Sequence, residues 1–281
     1  MSDEARRRLV PDSFLSRFAD GAGRLMAERR DRNRRLLLSV EEATAMAGFY
    51  EVAGSGAEPR NLARQLDRIE VRAADVIGQM LEGAFPPVGE NRAYLALFVA
   101  FQLQLGRGHR ETLARTAELL TELIVANLRE RPEAVEDAGE GTPETAGPED
   151  AHVTVSGSEP SPRTLSSGPR LAHLLSARTW QLVRFSSRQL LTGDTPVVLW
   201  SRPGLAGAYR SGLGAADEVR VPLDPRHALI MARKAPAGEV IRELDERHAR
   251  ALNRTVAEGA HEWMYYHPES DPMERVELAP P

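Results

Sequence analysis

The feature that most restricts what this chain can fold into is a change of hydrophobic period partway along it. Before residue 131 apolar side chains recur at spacings of three and four; after residue 168 they alternate or form short solid runs. Between these regions neither period holds. Residues 131–168 are dominated by Pro, Glu, Gly, Ser and Thr, and Ala134 to Val155 contains no aromatic residue. Such a stretch cannot bury enough apolar surface to offset the entropy of ordering it, so it reads as a disordered acidic insertion. The expected architecture is therefore α+β, as one compact domain. A helical half, residues 8–130, packs on a mainly antiparallel sheet from residues 169–267, which also supply a C-terminal helix. With 281 residues and 42% hydrophobic content, the chain can bury a sizeable core.

Within the first half, Pro11, Phe14, Leu15 and Phe18 are apolar anchors, and Asp20 to Gly23 form a turn before a strand at Leu25 and Met26. Arg29 to Arg35 read as an exposed hairpin tip. Ser39 and Glu42 have the spacing of a capping box, which starts a short helix from Val40 to about Ala47. Leu62, Leu66, Ile69, Ala73, Val76 or Ile77, and Met80 mark an amphipathic helix stopped by Pro86 and Pro87. Tyr94 to Phe101 is apolar all round and belongs in the centre of the core. Gly106 and Gly108 then flank Arg107, and helical spacing resumes from Leu113 to Leu128.

In the second half, strands are expected at Trp180–Phe185, Val197–Trp200, Val219–Leu223, Ala228–Ala232 and Trp263–Tyr266. Pro222 marks the third of these as an edge. A helix from Val240 to Glu258, with Ile241, Leu244, His248, Leu252 and Val256 as its apolar stripe, ends at Gly259.

The net charge of −5 asks for neither a nucleic acid nor an anionic membrane as partner. Lys234 is the only lysine against 35 arginines, and these are spread through every segment, as coding bias would spread them. A P-loop or Schiff-base lysine is thereby excluded in practice. There is no cysteine for a disulfide, a thiolate metal site or a thiol nucleophile. No signal-like segment and no run of about 18 apolar residues occurs, so a cytoplasmic protein outside the membrane is expected. None of the seven histidines has metal-ligand spacing, no metal is expected, and no cofactor is implied. No Gly-x-Ser-x-Gly elbow or Walker loop is present.

The stretch from Leu191 to Trp200 sets Asp194 in a tight turn, with Pro196 opening the next strand. Five short motifs, in order, make the chain resemble the bacterial family catalogued as domain of unknown function 4238. These are Leu9-Val10-Pro11 running to Arg17-Phe18-Ala19, Gln104-Leu105-Gly106-Arg107, Thr192-Gly193-Asp194-Thr195-Pro196, Pro222-Leu223-Asp224-Pro225, and Leu252-Asn253. The chain departs from the family pattern in carrying Arg8 for an opening histidine, Leu9 for a tyrosine, and Gly193 and Thr195 around the aspartate. The resemblance implies one compact domain and no particular activity. Asp194 with Arg107 is the first candidate site, either as a carboxylate beside an anion-binding fork or as a structural ion pair and Asx-turn. Arg17, Gln104 and Asn253 are candidate ligand contacts around it. Three functions follow: binding of an anionic small molecule or a protein partner, nuclease-like hydrolysis of phosphate esters, and retention of the scaffold alone.

Overall fold

The computed structural model describes residues 6–54, 58–105, 151–154, 168–186, 190–202, 213–214 and 216–278. Arg107, the resumed helix at Leu113–Leu128 and most of the insertion lie outside the described residues.

The first part alternates strands with helices: β1 (Arg6–Arg8), α1 (Asp12–Leu15) with a 3-10 turn at Ser16–Phe18, β2 (Arg24–Arg29), β3 (Arg35–Ser39), α2 (Val40–Ala47), β4 (Phe49–Gly54), α3 (Glu58–Leu81) and α4 (Gly89–Leu105). Ser39 caps α2 as its spacing predicts: its hydroxyl accepts from Glu42 N, and the Glu42 carboxylate accepts from Ser39 N at 2.8 Å. In α3 the stripe Leu66, Ile69, Ala73, Val76, Ile77 and Met80 is buried, and in α4 every residue from Leu95 to Phe101 is buried. Both helices therefore sit where their patterns place them.

The second part contains β5 (Ala151–Thr154), α5 (Gly168–Ser176), β6 (Thr179–Phe185), β7 (Leu191–Gly193), β8 (Val198–Trp200), β9 (Glu218–Pro222), β10 (His227–Ala232), β11 (Val240–Leu244), α6 (Glu246–Gly259) and β12 (Trp263–Tyr266). Five strands form one sheet in the order β11-β6-β10-β9-β8, antiparallel except where β11 runs parallel to β6. Successive residues of its strands face opposite ways. Trp180, Leu182, Leu229 and Met231 join the core built on α3, α4 and α5, while Val183, Phe185, Ala228 and Ile230 meet α6. The sheet is thus a middle layer between two helical layers.

A second sheet, β3-β2-β12-β7, is antiparallel and draws two strands from each half of the chain. A third, β1-β4-β5, includes Ala151–Thr154. That pairing corrects the expectation of disorder at these four residues, where Val153 and Thr154 are good strand formers.

Two other expectations change. Residues 240–244 are a strand rather than the first turns of a helix, because Asp245 is the N-cap: its carboxylate accepts from His248 N at 3.1 Å. With the helix starting at Glu246, Ile241 and His248 are exposed instead of lying on its buried stripe. The strand at Val219 lies inside its sheet, between β10 and β8, and tolerates Pro222 because the proline is its last residue. Among the described residues no helix is long and apolar enough to cross a membrane.

Candidate functional site

Asp194 follows β7 and is 7% exposed. Its carboxylate accepts three backbone N–H bonds, from His261 at 2.7 Å, Glu262 at 2.7 Å and Trp263 at 2.9 Å. Its own N–H donates to Trp263 O at 3.0 Å. The turn therefore holds the loop between α6 and β12, and the Asp194 charge is met by amide dipoles. Burial, with the negative charges of Asp194 and Glu262 nearby, pushes the neighbouring Tyr265 phenol far up.

Asn253 is fully buried in α6. Its Oδ1 accepts from Leu191 N at 3.2 Å and its Nδ2 donates to Pro272 O at 3.0 Å, joining the helix to β7 and to the C-terminal segment. Asp194 and Asn253 thus stand at the two ends of β7, and both hold backbone. Arg17 lies elsewhere, with Nη2 donating to Ala74 O in α3 at 2.7 Å and Asp224 close enough to affect it. Burial lowers its pKa, and the Asp224 charge opposes that. Gln104 is in the last turn of α4, and its side chain, like Arg107, lies outside the described part.

Asp224 caps the β9–β10 turn. Its carboxylate accepts from Arg226 N and His227 N, and meets His227 Nδ1 at 2.9 Å. Burial would raise its pKa, but the His227 bond and the two backbone N–H groups outweigh burial and hold it below the usual carboxylate value.

The arginines of the β2–β3 tip are largely occupied. Glu28, 2% exposed, accepts from Tyr266 Oη, from Arg32 at 3.1 Å and from Arg35 at 2.9 Å. Arg30 donates to Ala260 O at 3.2 Å. The tip is exposed, as its sequence predicts, but most of its arginines are tied into ion pairs and hydrogen bonds, with Arg32 and Arg35 on the buried Glu28.

The cationic concavity lies between the outer face of α6 and the β8–β9 edge, and has a volume of about 960 Å³. The helix starting at Glu246 buries Ala249, Leu252, Asn253, Val256 and Ala257, so Arg247, Arg250, Arg254 and Glu258 fall on its opposite face. Among the described residues, Arg220 and Arg275 complete five arginines in the lining, against Glu258 as its single acid. Arg250 meets Glu246 at 2.7 Å. Among the described residues neither the Arg247 nor the Arg254 guanidinium is in an ion pair, and both are exposed.

Arg220 has a different task. It binds Glu218 through Nε and Nη2, each at 2.8 Å, and Thr255 Oγ1 at 3.0 Å, with its guanidinium 4.2 Å from the Trp200 ring centre. Burial lowers its pKa and the Glu218 charge opposes that. The other wall is apolar, made by Leu103, Val197, Val198, Leu199 and Trp200. Thr195 also lines it, and its buried hydroxyl has no hydrogen-bond partner among the described residues. Gly259 lets the end of α6 approach β8: a Cβ there would lie 2.5 Å from Val198 Cγ1.

Arg247, Arg250, Arg254 and Trp200 were not legible as a site. Their signal is the i, i+3, i+7 spacing of arginines on α6; that this face borders Trp200 and the β8–β9 edge is set by tertiary contacts, which no local spacing encodes. Among the described residues no cluster of His, Asp or Glu could hold a metal ion.

Fold and groove together define an α+β protein with a helical layer on each face of a five-stranded sheet and an arginine-lined groove beside one helix. The chain matches the family model described as a protein of unknown function, DUF4238, over residues 9–270, and belongs to that family. No curated protein and no solved structure matches it.

Proposed function

We propose that this is a cytoplasmic binding protein for an anionic ligand, which it holds in the groove along α6. The observation that carries this reading is the described lining, which holds five arginines and one acid, with the Arg247 and Arg254 guanidiniums outside any described ion pair. Guanidinium forks bind phosphate and carboxylate oxygens in pairs, and a concave wall strengthens that attraction by restricting water. Arg220 supports the reading indirectly, since its bonds to Glu218 and Thr255 fix the sheet side of the groove against the helix side.

The hydrolase alternative requires Asp194 as acid, base or metal ligand. Three amide N–H bonds to that carboxylate support a structural task for it instead. Calorimetric titration with inorganic pyrophosphate tests the binding reading. The wild-type chain should bind, and Arg247→Ala and Arg254→Ala should each weaken binding roughly tenfold with little change in melting temperature, since both residues are exposed. Equal binding by the variants, or no binding by the wild type, would reject it.

A further inference from the structure

We infer that the ligand of this groove is a nucleoside polyphosphate, its phosphates on Arg247, Arg250 and Arg254 and its base on the Trp200 wall. This inference rests on the anion-binding reading above and goes further by naming the ligand. The spread of charge comes first. Arg247 and Arg254 are seven residues apart on one helix face, about 10 Å along the axis, with Arg250 between them partly neutralised by Glu246. Linked phosphates present oxygens along a line and can engage both outer guanidiniums. A single small anion leaves one end of the stripe without a counter-charge.

The two walls differ in kind, and this gives the second observation. A purely inorganic chain would use the arginine wall and leave Val197, Leu199 and Trp200 unused. An apolar acid would use those and leave the arginines unneutralised. A ring joined to several phosphates uses both.

The indole is also pre-set. Trp180 and Trp263 are buried, at 0% and 6% exposure, whereas Trp200 is half-buried in the groove wall. Arg220 packs over its ring and is itself fixed by Glu218 and Thr255, so the ring plane is held before any ligand arrives. An aromatic platform already immobilised gives up little conformational freedom when a base stacks on it. The volume of about 960 Å³ suits a ligand of nucleotide size.

A continuous single strand of nucleic acid fits less well. The large hydrophobic side chains that are exposed elsewhere on the described surface (Leu37, Val71, Val88, Leu174 and Ile241) are all aliphatic, and so offer no further stacking platform.

The test compares ATP and GTP with inorganic tripolyphosphate, by calorimetry and by tryptophan fluorescence. At least one nucleoside triphosphate should bind roughly tenfold more tightly than tripolyphosphate and quench Trp200 emission, because stacking adds to the charge contacts. Trp200→Leu should erase that margin, Trp200→Phe should retain most of it, and Arg254→Ala should weaken both ligands alike. If nucleoside triphosphate and tripolyphosphate bind equally to the wild type, the base contact is refuted and the anion-binding reading survives. If neither binds, both fail. A poly-dT oligonucleotide binding more tightly than ATP and GTP would overturn the inference in favour of a strand.

Discussion

Asp194 gathers three backbone N–H groups within 2.7–2.9 Å and, with them, the start of β12. Replacing it by Ala leaves those donors buried without an acceptor. The expected cost is about 2–4 kcal/mol in urea unfolding, with Asp194→Asn losing less because one oxygen stays. A loss below about 0.5 kcal/mol would show that the loop finds other acceptors. Asp224 makes a second, pH-dependent statement. Its pKa is held down in the folded chain, so the stability it contributes is fully present above the unfolded value, about 4, and falls away as pH drops through the lower folded value. The stability gap between wild type and Asp224→Asn should therefore be flat at neutral pH and close below about pH 4. A gap that persists at pH 2 would assign it to packing instead.

Among the elements, α6 shows most clearly what could be read from sequence and what could not. Its apolar residues Leu252 and Val256 and its stop at Gly259 were legible, since they depend on local spacing. Its start was not: Ile241 and Leu244 mimic helical spacing, and only the Asp245 cap separates strand from helix. The start lies six residues later than expected, at Glu246 instead of Val240, which leaves the arginine face unchanged; the groove was hidden because its other wall is the β8–β9 edge, distant in sequence. Asp194 and Asn253 were legible as special residues, but their partners are backbone groups at least 19 residues away, and no local pattern encodes those. Gly259 is the last helical residue of α6, and its task is the close approach to β8 rather than an unusual φ. Gly259→Ala should cost about 1–3 kcal/mol through its clash with Val198, and Val198→Ala in the same chain should recover part of that. Purely additive losses in a double-mutant cycle would remove the contact as the cause.

At the scale of the whole molecule, the four-stranded sheet sets β12 between β2 and β7, so neither half of the chain completes it alone. Residues 1–130 and 169–281 expressed separately should each lack cooperative unfolding and dispersed amide resonances, and should gain both when co-expressed. A folded 1–130 fragment would mean that the first half has a self-sufficient core. The same arrangement has a consequence during synthesis. β2 ends at Arg29 and its neighbour β12 begins at Trp263, 234 residues later (263 − 29). At about 5–20 residues per second, one side of β2 waits roughly 10–50 s on the ribosome for its partner. Throughout that interval it offers an open strand edge to other nascent chains, so holdase chaperones should matter more to the yield of this protein than its final stability suggests.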